Sequence, residues 1–258
     1  MTSPDAIRLS VRERAEALLD DPFSLTATAP DGAELRWRGR IRDDDGRVWR
    51  ASAGRAHDLT WKWAPAKEGT GPIAALASLR PVAIDVRVEA EDGRGAARTL
   101  TRALVLPGVK SRRWRGDVVA ALHLPAADEP ASTLLIDATA GEEAAAVGAI
   151  AGPLLASRGV LTLVVPPPKR ETPDLLDRAR EQLSAVPAVA ASGAEPIVLP
   201  ARPPRLQGDE LPEGEEEDKS LAVVLPPNVP AREPGPEHTR RRVATWDGLL
   251  TYLGARGR

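Results

Sequence analysis

The chain's folding options are narrowed most by a change of hydrophobic period near residue 110. From residue 8 to about 106, apolar residues recur at every second position in short runs broken by turn residues. That pattern suits half-buried strands and does not suit helices. In ELRWRGRI, Leu35, Trp37 and Ile41 fall on one side and Arg36, Arg38, Arg40 and Arg42 on the other, so this strand should have one wet face. Asp45-Gly46 offers the positive φ of a tight hairpin, with a returning strand through Val48 and Ala51. AIDVRVEA, EDGRG and RTLTRALVL repeat strand, turn and strand between residues 83 and 106. Several such strands in about 100 residues predict an antiparallel, immunoglobulin-like β-sandwich, here residues 5–112.

After the basic run KSRRWRG, residues 110 to 116, strands alternate with helices. DVVAALHLP and STLLIDA read as strands, EEAAAVGAIAGPLLASRG as a helix closed by Gly159, and VLTLVVP as a strand buried on both faces. In TPDLLDRAREQLSAV, Thr172 suits an N-cap, Pro173 the first helical position, and Leu175, Leu176, Ala179 and Leu183 make a helical stripe. Such alternation predicts a mainly parallel sheet in a second domain, residues 113–258. Residues 196–236 are rich in proline and acid around one short strand, LAVVL. A final helix follows, with Val243, Trp246, Leu250 and Leu253 on one face and Gly254 as its stop.

Composition excludes several kinds of chemistry. Of 258 residues, 42% are apolar and 28% charged, enough for a buried core in a soluble protein. Without cysteine there is no disulfide, no thiolate metal site and no cysteine nucleophile. A formal net charge of −2 gives no global attraction to nucleic acid or to an anionic membrane, so neither is an expected partner. The longest uncharged stretch, residues 144–157, is too short and too interrupted to span a bilayer, and the N-terminus lacks the apolar run of a signal peptide. The expected location is therefore cytoplasmic. Neither DDDG, a hairpin turn, nor EGEEEDKS, a solvated charge run, has the spacing of a calcium loop, and no cofactor is expected. KSRRWRG, which could touch phosphates, reads more simply as an interdomain linker with a packed Trp. Trp61 and Trp63 in HDLTWKWAPA read as caps on the sandwich core, and His123 in AALHLP as a satisfied strand residue.

Several runs, taken in order, carry a resemblance. RDDDGRVWRASA and GPIAALASLRP in the first part are joined in the second by RGDVVAALHLP, LLIDATAG, PLLASRGVLTLVV, VVLPPNVP and GPEHTRRRVATWDGLLTYL. Together they resemble the acyl-CoA thioesterase and bile acid-CoA:amino acid N-acyltransferase family, which joins an N-terminal β-sandwich to a C-terminal α/β-hydrolase domain. The resemblance implies an acyl-CoA or other acyl thioester as ligand. It also implies a nucleophile on a strand-to-helix elbow, then an acid, then a histidine. By position His238 matches the histidine, and Asp209 in LQGDELPEG matches the acid. The closest match to the elbow is VAASGAEP, which puts Ala191 at the nucleophile position and Ser192 one residue late.

The chain departs from that pattern in ways that bear on chemistry. It has no G-x-S-x-G, and Pro196 interrupts the helix that should follow the elbow. The stretch from ASGAEP to His238 is too short for the family's strands and lid, so the hydrolase domain reads as truncated. DATAGEEAA adds Glu142 and Glu143 where an oxyanion would bind, and carboxylates oppose an anion there. These departures favour a relative that keeps the scaffold for ligand or protein binding without catalysis. The alternative is an active thioester hydrolase in which Ser192, or a water, is activated by His238 and oriented by Asp209.

Overall fold

A computed structural model of the chain describes residues 6–11, 16–22, 25–53, 62–66, 73–115, 118–170, 172–202, 221–226, 228–231 and 245–255. The chain divides into two compact units, Met1–Ala103 with Pro227–Glu233, and Leu104–Pro226 with Pro234–Arg258. The division falls earlier than the basic run because that run is not a linker: Lys110–Arg115 is a strand of the second unit's sheet.

The named strands of the first unit pair antiparallel, and one isolated parallel bridge joins Leu18 to Ala103. β1 (Arg8–Val11) pairs with β2 (Leu25–Thr28). β3 (Leu35–Arg42), β4 (Val48–Ala53), β5 (Lys62–Pro65), β6 (Val82–Ala90) and β7 (Gly95–Arg102) form a sheet in the order β5-β4-β3-β6-β7. Alternation sorts the side chains as expected. Trp37, Ile41, Trp49, Trp63, Ile84, Val86 and Leu100 are buried, while the arginines of β3 point to water. Asp45-Gly46 turns the β3–β4 hairpin, with Gly46 at φ 77°, a conformation that costs glycine little.

A buried carboxylate ties this hairpin to a distant segment. Asp43 accepts from Arg47 N at 2.8 Å, from Trp49 Nε1 at 3.1 Å and from Ala75 N at 3.2 Å. Next to it, Asp44 accepts from Ser78 N at 2.8 Å and Ser78 Oγ at 2.6 Å. The DDDG run is thus a hairpin turn, as its residues suggested, and also an anchor. The tethered segment meets the returning chain where Ala74 N donates to Pro230 O at 2.9 Å. Asn228, held at φ 68°, donates from Nδ2 to Leu19 O at 3.0 Å and Asp21 O at 2.9 Å. Asn228, Val229 and Pro230 of the PPNVP motif therefore belong to the first unit.

The second unit is built on a mixed sheet of β8 (Lys110–Arg115), β9 (Val119–Leu124), β10 (Ser132–Asp137), β11 (Val160–Val165) and β12 (Ile197–Pro200), in the order β12-β10-β11-β9-β8. β10 runs parallel to β11 and β12, whereas β9 is antiparallel to β11 and β8. Helix α1 (Glu142–Ser157) links β10 to β11, and α2 (Leu175–Ser184) with α3 (Pro187–Ser192) links β11 to β12. The final helix, α4 (Trp246–Tyr252), starts at an N-cap Thr245 whose Oγ1 accepts from Gly248 N at 3.1 Å, and Gly254 follows it at φ 66°.

The helices cover opposite faces of the sheet. α1 lies over Ile136, Ala138, Val164 and His123, against which Gly148 and Gly152 face. On the other face Ala179, Leu183, Val186 and Val189 pack on Ala120, Leu122, Leu135, Leu161, Leu163 and Val165. β11 is therefore buried along its whole length, as its unbroken apolar run required. One helix start differs from expectation. α2 begins at Leu175 after Asp174, which sits at φ 55°, and Thr172 Oγ1 donates to Arg170 O at 3.0 Å rather than capping the helix.

Replacing Asp43 with alanine would leave the buried Trp49 N–H and the part-buried amides of Arg47 and Ala75 without their acceptor. We expect Asp43→Ala to lower unfolding stability by about 2–4 kcal/mol in urea denaturation, with Asp43→Asn recovering part of the loss.

Candidate functional site

In a sheet wound like this one, ligands bind outside the carboxyl ends of the parallel strands, where the winding direction reverses. Here the reversal is at β10, whose neighbours are β11 on one side and β12 on the other. Asp137 is the last residue of β10. Its Oδ1 accepts from Thr139 N at 3.0 Å and from Thr139 Oγ1 at 2.6 Å, and its carbonyl accepts from Ala201 N at 2.7 Å. The chain then enters α1 through Gly141 with Glu142 and Glu143 in the first turn. Both carboxylates suit the helix dipole and disfavour an anionic ligand at that end.

Beside Thr139 lies a cleft of about 460 Å³ lined by Thr139, Pro168, Thr172, Asp174, Leu175, Leu176 and Asp177. Pro168 comes from the turn after β11, and the last four residues from the start of α2. Two hydroxyls and two carboxylates thus edge an apolar floor. This combination can orient a ligand that has both polar and apolar parts. Among the described residues no histidine lines it.

Of the residues singled out in the sequence, His238 and Asp209 lie outside the described residues, as does Trp61. Ser192 is described, and its surroundings differ from an elbow. It ends α3, donates from Oγ to Val189 O at 2.8 Å and accepts from Ala194 N at 3.3 Å. Gly193 at φ 63° then stops the helix, and the chain enters β12 at Ile197. The local order is helix, turn, strand, the reverse of the strand-to-helix elbow that VAASGAEP was expected to form. Pro187 in the first turn of α3 and the small VAA run favour the helix, and Gly193 supplies its left-handed stop. Ser192 therefore precedes β12 at its amino end, away from the carboxyl edge. The described residues that leave β12 are Ala201 and Arg202, neither of which carries a hydroxyl.

The sequence reading missed a different serine–histidine pair. Ser111 on β8 and His123 on β9 lie opposite each other, with Ser111 Oγ 2.8 Å from His123 Nδ1. Ser111 is exposed and His123 is 5% exposed, roofed by α1 at Gly152. Burial pushes the imidazole down to about 4. Among the described residues its Nε2 has no hydrogen-bond partner and no carboxylate stabilises an imidazolium. A histidine so reluctant to take a proton is a poor general base near neutral pH. The pair fastens the edge strand to the core. Reading KSRRWRG as a linker hid it, because only a strand in this register brings residue 111 opposite 123.

Among the described residues, no group of acidic or histidine side chains could hold a metal ion, and no helix is long and apolar enough to cross a membrane. No family model matches the chain, and no curated protein matches it.

The buried imidazole has a consequence for pH. Its folded value, about 4, lies below the ordinary 6.5, so the unfolded chain takes up the proton first. Stability from this residue is complete above pH 6.5 and is lost as pH falls towards 4, by up to about 3 kcal/mol. Urea denaturation from pH 7 to pH 4 should therefore show a steeper loss for the parent than for His123→Leu. Equal slopes would show that His123 is not buried in its neutral form.

Proposed function

We propose that this chain is a non-catalytic relative of the acyl-CoA thioesterases, with an immunoglobulin-like sandwich and a shortened α/β-hydrolase-type domain. It binds the uncharged acyl end of a thioester, or a ligand of similar mixed polarity, at the carboxyl edge of the mixed sheet and does not cleave it, with any phosphates kept clear of Glu142 and Glu143. The reading rests chiefly on the direction of the chain at Ser192, which runs from helix to strand. Acyl transfer needs the hydroxyl presented at the carboxyl edge beside a basic imidazole, and Ser192 Oγ instead bonds Val189 O.

Two further observations support it. The mixed sheet with helices on both faces suits a hydrolase-type scaffold, and the order of the resemblance-bearing runs along the chain is that family's order. The cleft beside Thr139 has the mixed lining of a binding site, and among the described residues no histidine lines it.

The test is release of free CoA from a panel of acyl-CoA esters by the purified full chain, beside His238→Ala and Ser192→Ala. The expected result is no release above the uncatalysed rate by any of the three proteins. Turnover by the parent that falls at least tenfold in His238→Ala would establish the hydrolase alternative. Binding is read separately, by saturable quenching of tryptophan fluorescence with a non-hydrolysable acyl-CoA thioether.

A further inference from the structure

The wet side of the five-stranded sheet carries more positive charge than the unit's own carboxylates neutralise. Arg36, Arg38, Arg40 and Arg42 of β3, Arg50 of β4 and Arg87 of β6 are all exposed on it, against Asp85 and Glu89 of β6. Strand register makes the arrangement costly. Arg40 stands directly opposite Arg50, and Arg38 directly opposite Arg87. Like charges placed directly opposite on one face of a sheet destabilise it.

Some of this charge is answered within the unit. Arg38 and Arg87 share Glu89 at 3.4 and 2.6 Å, and Arg36 reaches Glu91 at 3.0 Å. Elsewhere in the unit the matching is fuller. Arg94 pairs with both Asp31 and Asp92, and the Arg94 hydrogen bonds hold both carboxyls below their usual range. Arg40 and Arg50, in contrast, have no ion-pair partner among the described residues. On its other side Arg40 stands directly opposite Asp85, which makes no ion pair with it and accepts from Thr99 Oγ1 at 2.8 Å, so one carboxylate faces the two arginines.

We propose that this face binds the phosphate backbone of a nucleic-acid duplex without reading its sequence. The chain's net charge of −2 does not oppose this, because screening confines the field to about 10 Å at moderate salt and the face is locally positive. Guanidinium groups are forked donors that fit phosphate oxygens, and residues alternating along a strand present them about 7 Å apart. Trp37, Trp49 and Trp63 all point to the buried side, so among the described residues no aromatic ring on this face offers a stacking platform for unpaired bases. An acidic protein partner fits less well. Tight protein interfaces rest on buried apolar or aromatic anchors, and the anchors here face the core. Backbone phosphates need only the charge.

The experiment measures binding of the full chain to a fluorescently labelled DNA duplex of arbitrary sequence, from about 50 to 200 mM salt, beside R40Q/R50Q and R50Q alone. Affinity should fall with salt, and a second duplex of unrelated sequence should bind equally well. R40Q/R50Q should bind at least tenfold more weakly and show a log–log salt slope shallower by about 2, with R50Q intermediate. Without DNA, the double variant should unfold at the same or a higher temperature, since it removes a like-charge pair; a purely structural role for these arginines would lower it. Absence of duplex binding at the lowest salt would overturn the proposal. So would unchanged binding by R40Q/R50Q, or polyglutamate competing as well as duplex at equal charge, which would point to an acidic polypeptide instead.

Discussion

The second unit depends on how closely helix α1 lies on its sheet. A methyl group on Gly148 would sit 2.7 Å from Val164 Cγ1, and one on Gly152 would sit 2.8 Å from Val164 Cγ2 and 3.0 Å from His123 Cδ2. The two contacts with Val164 are closer than packed atoms tolerate, so the two glycines set the height of the helix. Thr162 Oγ1 uses that proximity to donate to Gly152 O at 3.1 Å, which satisfies a buried hydroxyl on a strand that is otherwise apolar. From this seat the rest follows. The helix covers His123 and removes it from water, and it delivers the chain to β11 on one side of β10. The next crossover then goes to the other side, so the carboxyl edge at Asp137 becomes the place where winding reverses.

The first unit is held differently. Its buried side is rich in tryptophan, and its one deeply placed hairpin carboxylate, Asp43, gathers three N–H donors from two separate segments. Burying a polar group is costly unless its hydrogen bonds are made, and these three replace the water that Asp43 gives up. The same sheet leaves its opposite face to arginine. Specificity of register and excess of charge thus come from the same alternation, one on each side of β3.

Much of this was legible in the sequence, for identifiable reasons. Period-2 runs such as ELRWRGRI and AIDVRVEA carry their own face assignment, and Trp37, Ile41, Ile84 and Val86 are buried as the alternation requires. The unbroken apolar VLTLVV could belong only to a strand covered on both sides. Local signals also placed α1, α4 and the Gly159 and Gly254 stops. What escaped depended on partners distant in sequence. KSRRWR is a strand because β9 pairs with it, and nothing within its own residues outweighs its arginines. Asn228 meets Leu19 and Asp21 across some two hundred residues, which no local pattern encodes. The site was the least legible part. Serine and glycine at 192 and 193 look alike in an elbow and in a helix stop, and only the order of flanking elements separates the two.

A scaffold can outlast its chemistry, because packing and catalysis make different demands on the same residues. Under the proposed reading, the edge that would host acyl transfer holds a polar turn and a cleft, while Ser192 bonds within its own helix. The most direct measurement is covalent labelling of the folded full chain with a fluorophosphonate, which reacts with serines activated by a neighbouring base. Peptide mass mapping should find no adduct on any serine under conditions that saturate a serine hydrolase. An adduct at Ser192 that disappears in His238→Ala would contradict the non-catalytic account and restore the triad.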